Sequence, residues 1–354
     1  KTPTKTESGI RLITAKNVKK GHLSLEPLEY IAEADYESWM TRGIPSKGDV
    51  LITTEAPLGN VAQIDTDEKI ALAQRIITLI PKSDNLDKAF LKNALLSDQV
   101  QFELNGFATG STVLGIKSSS LKEISIPLPP LEIQQQIVAE IEGCQKIIDG
   151  AKQIVNHYKP SISINPDWEM VELDKVCKIQ SGGTPSKPVK EYWENGTIPW
   201  VGSTVCKDQP IYSCDEYITE LGLQKSSAKI FPKHTTLIAL VGATIGKTAY
   251  LEFETSTNQN IAGLYPKDNN QLDSKYLYLI SQTLYNQFYK LGDGSFRMAS
   301  LGFIKELQIP LPSLEEQQTI VKAIEEEMQL VNSNKRLIAI FEQKIKTKIG
   351  EVWG

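Results

Sequence analysis

The sequence predicts a mixed α/β (α+β) protein of two globular units, each followed by one long helix, with the second half of the chain repeating the first. Three observations predict it. The segment "LKEISIPLPPLEIQQQIVAEIE" (121–142) returns as "IKELQIPLPSLEEQQTIVKAIE" (304–325), a shift of 183 residues. Short β-branched and aromatic runs separated by turn residues fill the stretch before each copy. Beyond each copy the apolar period changes to three and four, the spacing of an amphipathic helix.

The first globular unit occupies 1–126 and the second 168–309. Within them "QRIITLIPK" (74–82) pairs with "QNIAGLYPK" (259–267), and "VLITTEAPLGNVA" (50–62) falls on "LIALVGATIGKTA" (237–249). Each unit is expected to carry one helix of its own, near 85–104 and 272–290. The second unit opens with residues 168–197, which have no partner in the first, so the chain is expected to begin inside its first repeat.

The first spacer helix is expected over 127–158. Pro127, Pro129 and Pro130 end the extended segment before it, and a proline at the first helical position is compatible with a helix start. Residues 159–167 form a linker, and the second spacer helix lies within 310–354. There Ser313 replaces Pro130, and Ser313-x-x-Glu316 reads as a capping box. One apolar stripe comprises Ile133, Ile137, Ile141, Cys144, Ile148, Ala151, Val155 and Tyr158. The other comprises Ile320, Ile324, Met328, Val331, Ile338, Phe341, Ile345, Ile349 and Val352, interrupted near Asn334. Such stripes need an apolar partner, and two long helices in one chain supply each other. At 1.5 Å per residue, helix 131–158 would span roughly 42 Å and helix 314–350 about 55 Å.

Composition narrows the function. With 354 residues, 40% of them hydrophobic, the chain is long enough for more than one core. A net charge of −5 argues against coating nucleic acid non-specifically, but leaves room for a site-specific reader with local basic patches. No apolar run approaches membrane-spanning length and no secretion signal is present, so no membrane association and a cytoplasmic location are expected. Cys144, Cys177, Cys206 and Cys214 lack C-x-x-C spacing, which argues against a zinc site or disulfide framework. His22, His157 and His234 lie near no nucleophile motif, so no catalytic residue is assigned.

"LIALVGATIGKTA" (237–249) resembles a phosphate-binding P-loop. Gly242 and Gly246 enclose only three residues, one too few to curl successive N–H groups around phosphates, and "TAYLEFET" after them reads as a strand rather than a helix. In the first copy Pro57 and Asn60 stand in place of Thr244 and Lys247. A hairpin is the better reading. "NPDW" (165–168) has Asp167 where the Asn-Pro-Pro-aromatic motif of amino-methyltransferases has its second proline, and reads as a linker turn.

Two divergent globular units, each followed by a long helix opening with "IPLPxLExQ", resemble the specificity subunit of Type I restriction-modification systems over essentially the whole chain; "GATIGK" and "GGTP" (182–185) support this. The resemblance implies two target-recognition domains related by a pseudo-two-fold repeat and separated by an antiparallel coiled coil. It also implies double-stranded DNA as ligand, and as partners two adenine-methylating modification subunits and a restriction subunit that translocates and cuts DNA. S-adenosylmethionine and ATP would be used by those partners, with no cofactor or metal bound by this chain. The target would be bipartite and gapped. The competing readings are a coiled-coil adaptor that binds proteins only and, less well supported, a P-loop nucleotide-binding protein.

Loops that combine small polar residues with Lys or Arg can donate to phosphates and base edges. In the first unit these are Lys16, Asn17, Lys19 and Lys20, with Thr109, Gly110, Ser111 and Thr112. In the second they are Ser181, Gly182, Gly183, Thr184 and Lys187, then Ser203, Thr204 and Lys207, then Ser295 and Arg297. The plainer alternative is a turn for each glycine and a solvated surface for each lysine. Gln74 and Gln259 recur in matching strands and are read as structural. The helix-pair interface is assigned to Ile137, Ile141, Ile148, Val155, Ile324, Met328, Val331, Ile338, Phe341 and Ile345. Arg297 is the best single candidate for a guanine contact, because its fork can be bidentate. Arg297→Ala is expected to cost about 1–3 kcal/mol and to relax preference at one position of one half-site. Affinity falling equally on every sequence would make it a phosphate contact, and no effect would remove it from the interface.

Overall fold

A computed structural model describes residues 3–110, 112–289 and 298–353. The chain divides into two units, Lys1–His157 with Asn332–Gly354, and Tyr158–Val331. Among the described residues no helix is long and apolar enough to cross a membrane.

At the centre of the first unit lies the strand Val50–Thr53, buried along its whole length. It pairs antiparallel with Val61–Gln63 on one side and Ile76–Leu79 on the other. Alternation divides its apolar run between two cores. Val50 and Ile52 pack with Leu91, Leu95, Val100 and Leu104, while Leu51 packs with Ile13, Val18 and Ile70. A second small sheet sets Ile10–Ile13 between Tyr30–Ile31, antiparallel, and Ile70–Leu72, parallel. The single helix expected near 85–104 is two, Lys88–Leu95 and Asp98–Gly106. Ser97 breaks it: its backbone is extended and its hydroxyl accepts from the Val100 N–H, the cap that serine prefers over a helix interior.

The second unit repeats the central three strands as Thr248–Leu251, Thr236–Ala239 and Ile261–Pro266, in the same order, and extends them to a five-stranded sheet. Gln209–Ile211 adds in parallel at one edge and Cys177–Ser181 antiparallel at the other. A four-stranded sheet (216–218, 198–201, 255–257, 230–231) packs alongside. The helices Ser274–Thr283 and Tyr285–Tyr289 cover the main core, which includes Ile238, Tyr250, Leu264, Tyr276, Ile280, Ile304 and Ile324. The segment 237–249 is the hairpin its spacing implies. The Gly246 N–H donates to the Ala239 carbonyl at 2.9 Å, and the strand Thr248–Leu251 follows. Gly246 and its counterpart Gly59 both take φ +76°, open to glycine at little cost. No helix N-terminus follows to face a phosphate, and Lys247 pairs with Asp208 at 2.9 Å.

The long helices are Leu131–His157 and Leu314–Gly350, the second continuous through Asn334. Ser313 and Glu316 form the expected box: the Ser313 N–H donates to Glu316 Oε2 at 3.0 Å and the Glu316 N–H to Ser313 Oγ at 3.3 Å. The Ser313 hydroxyl and N–H hold the Glu316 carboxyl below its ordinary pKa. In the first unit Leu131–His157 packs against the end of the second helix. Ile137 and Ile141 meet Ile345 and Ile349 around Phe90 and Ala94, with Glu140–Lys348 at 2.8 Å and Lys152–Glu342 at 3.2 Å along the exposed rim. Pairing 140 with 348 and 152 with 342 requires antiparallel helices. Ile148 is buried; Val155, Ile338 and Phe341 are half-buried; Val331 is buried. Ile324 and Met328, assigned from the stripe to the helix pair, are accounted for by the second unit's own core.

The stripe is wrong at one position. Ile133 is exposed, and the residue turned inward is Gln134. Its Oε1 accepts from the Asp87 N–H at 2.8 Å, and its Nε2 donates to the carbonyls of Asn85 and Pro129, both at 2.7 Å. Gln317 repeats this in the second unit. It accepts from the Asp273 N–H at 2.8 Å and donates to the Gln271 and Pro312 carbonyls, both at 2.9 Å. Asp87 and Asp273 in turn cap the short helices Lys88–Leu95 and Ser274–Thr283. Each glutamine therefore ties the first turn of a long helix to the cap of its unit's own helix. Replacing either by leucine keeps the volume but orphans buried backbone groups, at about 1–3 kcal/mol each. Gln134→Leu and Gln317→Leu are expected to lower the urea midpoint clearly, and exposed Gln136→Leu to leave it within experimental error. Equal midpoints for all three would remove the glutamines from the account.

Candidate nucleic-acid interface

In the first unit two loops meet around the hairpin turn 54–60. Asn60 donates from Nδ2 to the Val18 carbonyl at 2.8 Å and the Gly21 N–H donates to the Val61 carbonyl at 2.7 Å, which holds the lysine-bearing loop against the hairpin. The Ile116 N–H donates to the Thr54 carbonyl at 2.9 Å and anchors the loop 109–115 to the same turn. That loop is closed by mutual backbone hydrogen bonds between Thr109 and Gly115, at 2.9 and 3.0 Å. Lys16, Lys19, Lys20, Thr109, Gly110 and Thr112 are all exposed; Ser111 lies outside the described residues. Arg75 rests on Glu55 at 2.5 Å beside them.

Asn17 is a correction. It is fully buried, and its amide is completely used. Oδ1 accepts from the N–H and hydroxyl of Thr14 at 2.9 and 2.8 Å, and Nδ2 donates to the carbonyls of Ser24 and Pro27 at 3.2 and 2.9 Å. It shapes the loop that presents the lysines and has no capacity left for a ligand.

The second unit builds the same arrangement with other residues. The Asp208 N–H donates to the Thr248 carbonyl at 2.8 Å, and its carboxylate accepts from the Thr248 N–H at 2.9 Å. Within this segment Thr204 and Lys207 are exposed, Ser203 is half-buried, and Cys206 is buried. Burial pushes the Cys206 thiol up to about 12, as it does Cys177, so both stay protonated packing residues. Among the described residues no cluster of three His, Cys, Asp or Glu could hold a metal ion. The Ala299 N–H donates to the Leu240 carbonyl at 2.8 Å, bringing Met298 beside the turn 242–247. Ser295 and Arg297 lie outside the described residues.

The segment 181–187 departs from expectation. Gly182 and Gly183 are buried, and a Cβ on them would fall 2.1 Å from the Thr257 carbonyl oxygen and 2.3 Å from Ser227 Oγ, so these glycines serve close packing. Lys187 is held in a cage of its own unit. Its ammonium stands 3.6 Å over the Trp193 ring and 4.9 Å from that of Trp200, two rings set edge to face, and 2.5 Å from Glu216 Oε2. A lysine so engaged is a fastener rather than a ligand contact. Thr184 donates to Gln259 Oε1 at 2.6 Å, in line with the structural reading of Gln259; Ser181 is half-buried at the sheet edge.

Sequence reasoning does not single out the apolar tips beside the hairpin turn of each unit. Val113, Leu114 and Met298 are 48, 53 and 73% exposed beside the two hairpin turns. The apolar pair in "STVLG", within a glycine-bounded polar loop, was the available signal.

Comparison with known proteins places this architecture. The family described as Type I restriction modification DNA specificity domain matches residues 40–156 and again 165–342. The specificity subunit of the type I restriction enzyme MjaIX from Methanocaldococcus jannaschii is 32% identical over 196 residues, 54% of this chain and 44% of that protein. The EcoR124I/EcoR124II specificity subunit from Escherichia coli is 28% identical over 239 residues, 62% of this chain and 58% of that one. The chain thus spans about half the length of these curated relatives. A chain in a solved structure of a type I R-M system shares the fold at a TM-score of 0.65 and 20% identity, covering 99% of this chain and 91% of that one. The type I restriction-modification S subunit from M. genitalium does so at 0.51 and 18%, covering 98 and 89%. With both halves matched, and each half carrying the proline-helix junction and the loop-bearing hairpin, this chain belongs to the Type I restriction modification DNA specificity domain family.

Proposed function

We propose that the chain is the DNA-recognising subunit of a type I restriction-modification complex. It reads a bipartite, gapped target on double-stranded DNA and directs adenine methylation and cleavage by partner subunits. The observation that carries this reading is the construction of the two units: one hairpin frame, built twice, carries lysine-bearing segments that differ in sequence, "KNVKKG" against "STVCKD", and the sequences "GSTVLGIK" and "GSFRMASL" differ likewise. One frame with unlike loops suits two unlike half-sites. The long helices support a gap of fixed length, because a helix packed on another cannot stretch to admit a further base pair.

Chemistry belongs to the partners in this reading. Two modification subunits would bring S-adenosylmethionine and a restriction subunit would use ATP, all in the cytoplasm. The chain's own part is to position. Exposed lysines and loop hydroxyls donate to phosphates and base edges, and the frame holds those donors in place before DNA arrives.

Methylated adenines mapped across the source genome, with and without this gene, test the reading. The expected result is a set of paired adenines within two short unlike sequences at one constant spacing, lost when the gene is deleted. Methylation unchanged by deletion would contradict it, and the protein-only adaptor would then be favoured.

A further inference from the structure

The two units share one hydrogen bond that singles out one position in each. The Gly21 N–H donates to the Val61 carbonyl at 2.7 Å, and the Asp208 N–H donates to the Thr248 carbonyl at 2.8 Å. Gly21 aligns with Asp208, and Val61 with Thr248, in the two copies of the hairpin. Both turning residues have positive φ, 95° and 57°. The residue just before each, Lys20 in the first unit and Lys207 in the second, therefore sits at the same place on the same turn. Both lysines are exposed, and among the described residues neither ammonium has a hydrogen-bond or ion-pair partner.

Around them the copies have diverged. Lys16 faces Ser203 in the alignment, Asn17 faces Thr204, and Lys19 faces Cys206. Val18 and Val205 persist, but Val18 is buried and Val205 packs against its unit's core. Among the exposed residues of the segment, only the lysine is kept. Two readers with unlike half-sites meet different base edges but the same sugar-phosphate backbone. A side chain that must serve both answers to what the half-sites share. Lysine suits this, since its ammonium is a point charge on a flexible stem without a fork for paired acceptors.

We propose that Lys20 and Lys207 are an equivalent pair of phosphate contacts, one per unit, that seat each unit on the duplex and carry no sequence information. The proposal rests on the DNA-recognition reading above and assigns within it what holds rather than what reads. Lys187 and Lys247, engaged by Glu216 and Asp208, are outside the pair.

The test uses the full chain assembled with its modification subunits, and two duplexes: one carrying the mapped target, the other with both half-sites scrambled. Affinities are measured between 50 and 200 mM salt for the unaltered complex, for Lys20→Ala, for Lys207→Ala, for the double variant, and for Lys20→Arg. The unaltered complex must first prefer the target; if it does not, the DNA-recognition reading fails and the pair is not at issue. Given that preference, each alanine variant is expected to lose affinity by the same factor on both duplexes. Each is also expected to reduce the slope of log affinity against log salt by about 0.9, and the double variant by about twice that. Lys20→Arg should keep the unaltered slope, which separates lost charge from lost folding. An unchanged slope in the alanine variants, or a loss confined to the target duplex, would overturn the proposal.

Discussion

Everything that the two units present depends on how each is fastened to its long helix, and a buried glutamine does the fastening. A chain leaving a sheet through "IPLP" enters its helix with carbonyls that no ladder pairs, beside a second helix whose cap residue has an unmatched N–H. Gln134 and Gln317 meet both needs with one planar amide, accepting once and donating twice. Buried backbone polar groups must find partners. No apolar side chain could supply them, which is why a polar residue occupies the inward face of an otherwise apolar stripe. The apolar contacts behind it, Ile137 and Ile141 on Phe90 in one unit and Ile324 with Tyr276 and Leu277 in the other, then pack on a direction already set.

This division between frame and loop runs through both units. The frame residues are repeated: the buried strands Val50–Thr53 and Thr236–Ala239, the half-buried capping aspartates Asp87 and Asp273, the buried turn glycines Gly59 and Gly246. The loops that the frame carries differ in sequence and hold most of the exposed polar candidates. Such a construction lets the exposed loop residues change without cost to the core, because they contribute little burial. It also separates two kinds of lysine. Those tied into the fold, Lys187 and Lys247, keep loops in place, while Lys20 and Lys207 remain open to a ligand.

The repeat made the architecture legible, since a doubled junction and a doubled hairpin pattern imply two like units and two long helices. The hairpin at 237–249 was legible for the same reason: a phosphate cradle would not lose its lysine in its duplicate. What stayed hidden depended on partners distant in sequence. Asn17 has the type and setting of a DNA contact, and nothing local reveals that Ser24 and Pro27 consume its amide. Lys187 looks like a basic loop residue until Trp193, Trp200 and Glu216 fold around it. Periodicity favours Ile133 over Gln134 because it counts apolar residues, and a buried glutamine satisfied by backbone groups is invisible to such a count. The helix break at Ser97 was visible only as a residue that prefers caps to interiors.

The central proposal is that the paired helices set the gap between two unlike half-sites. The most direct measurement removes one heptad from each long helix, within Leu131–His157 and within 332–350 where the two pack side by side, and sequences the methylated sites of cells carrying the variant. Seven residues correspond to about 10 Å of helix, or about three base pairs of duplex. The account predicts a target gap shortened by about that amount, with both half-sites unchanged. An active complex that methylates the original sites at the original gap would contradict it.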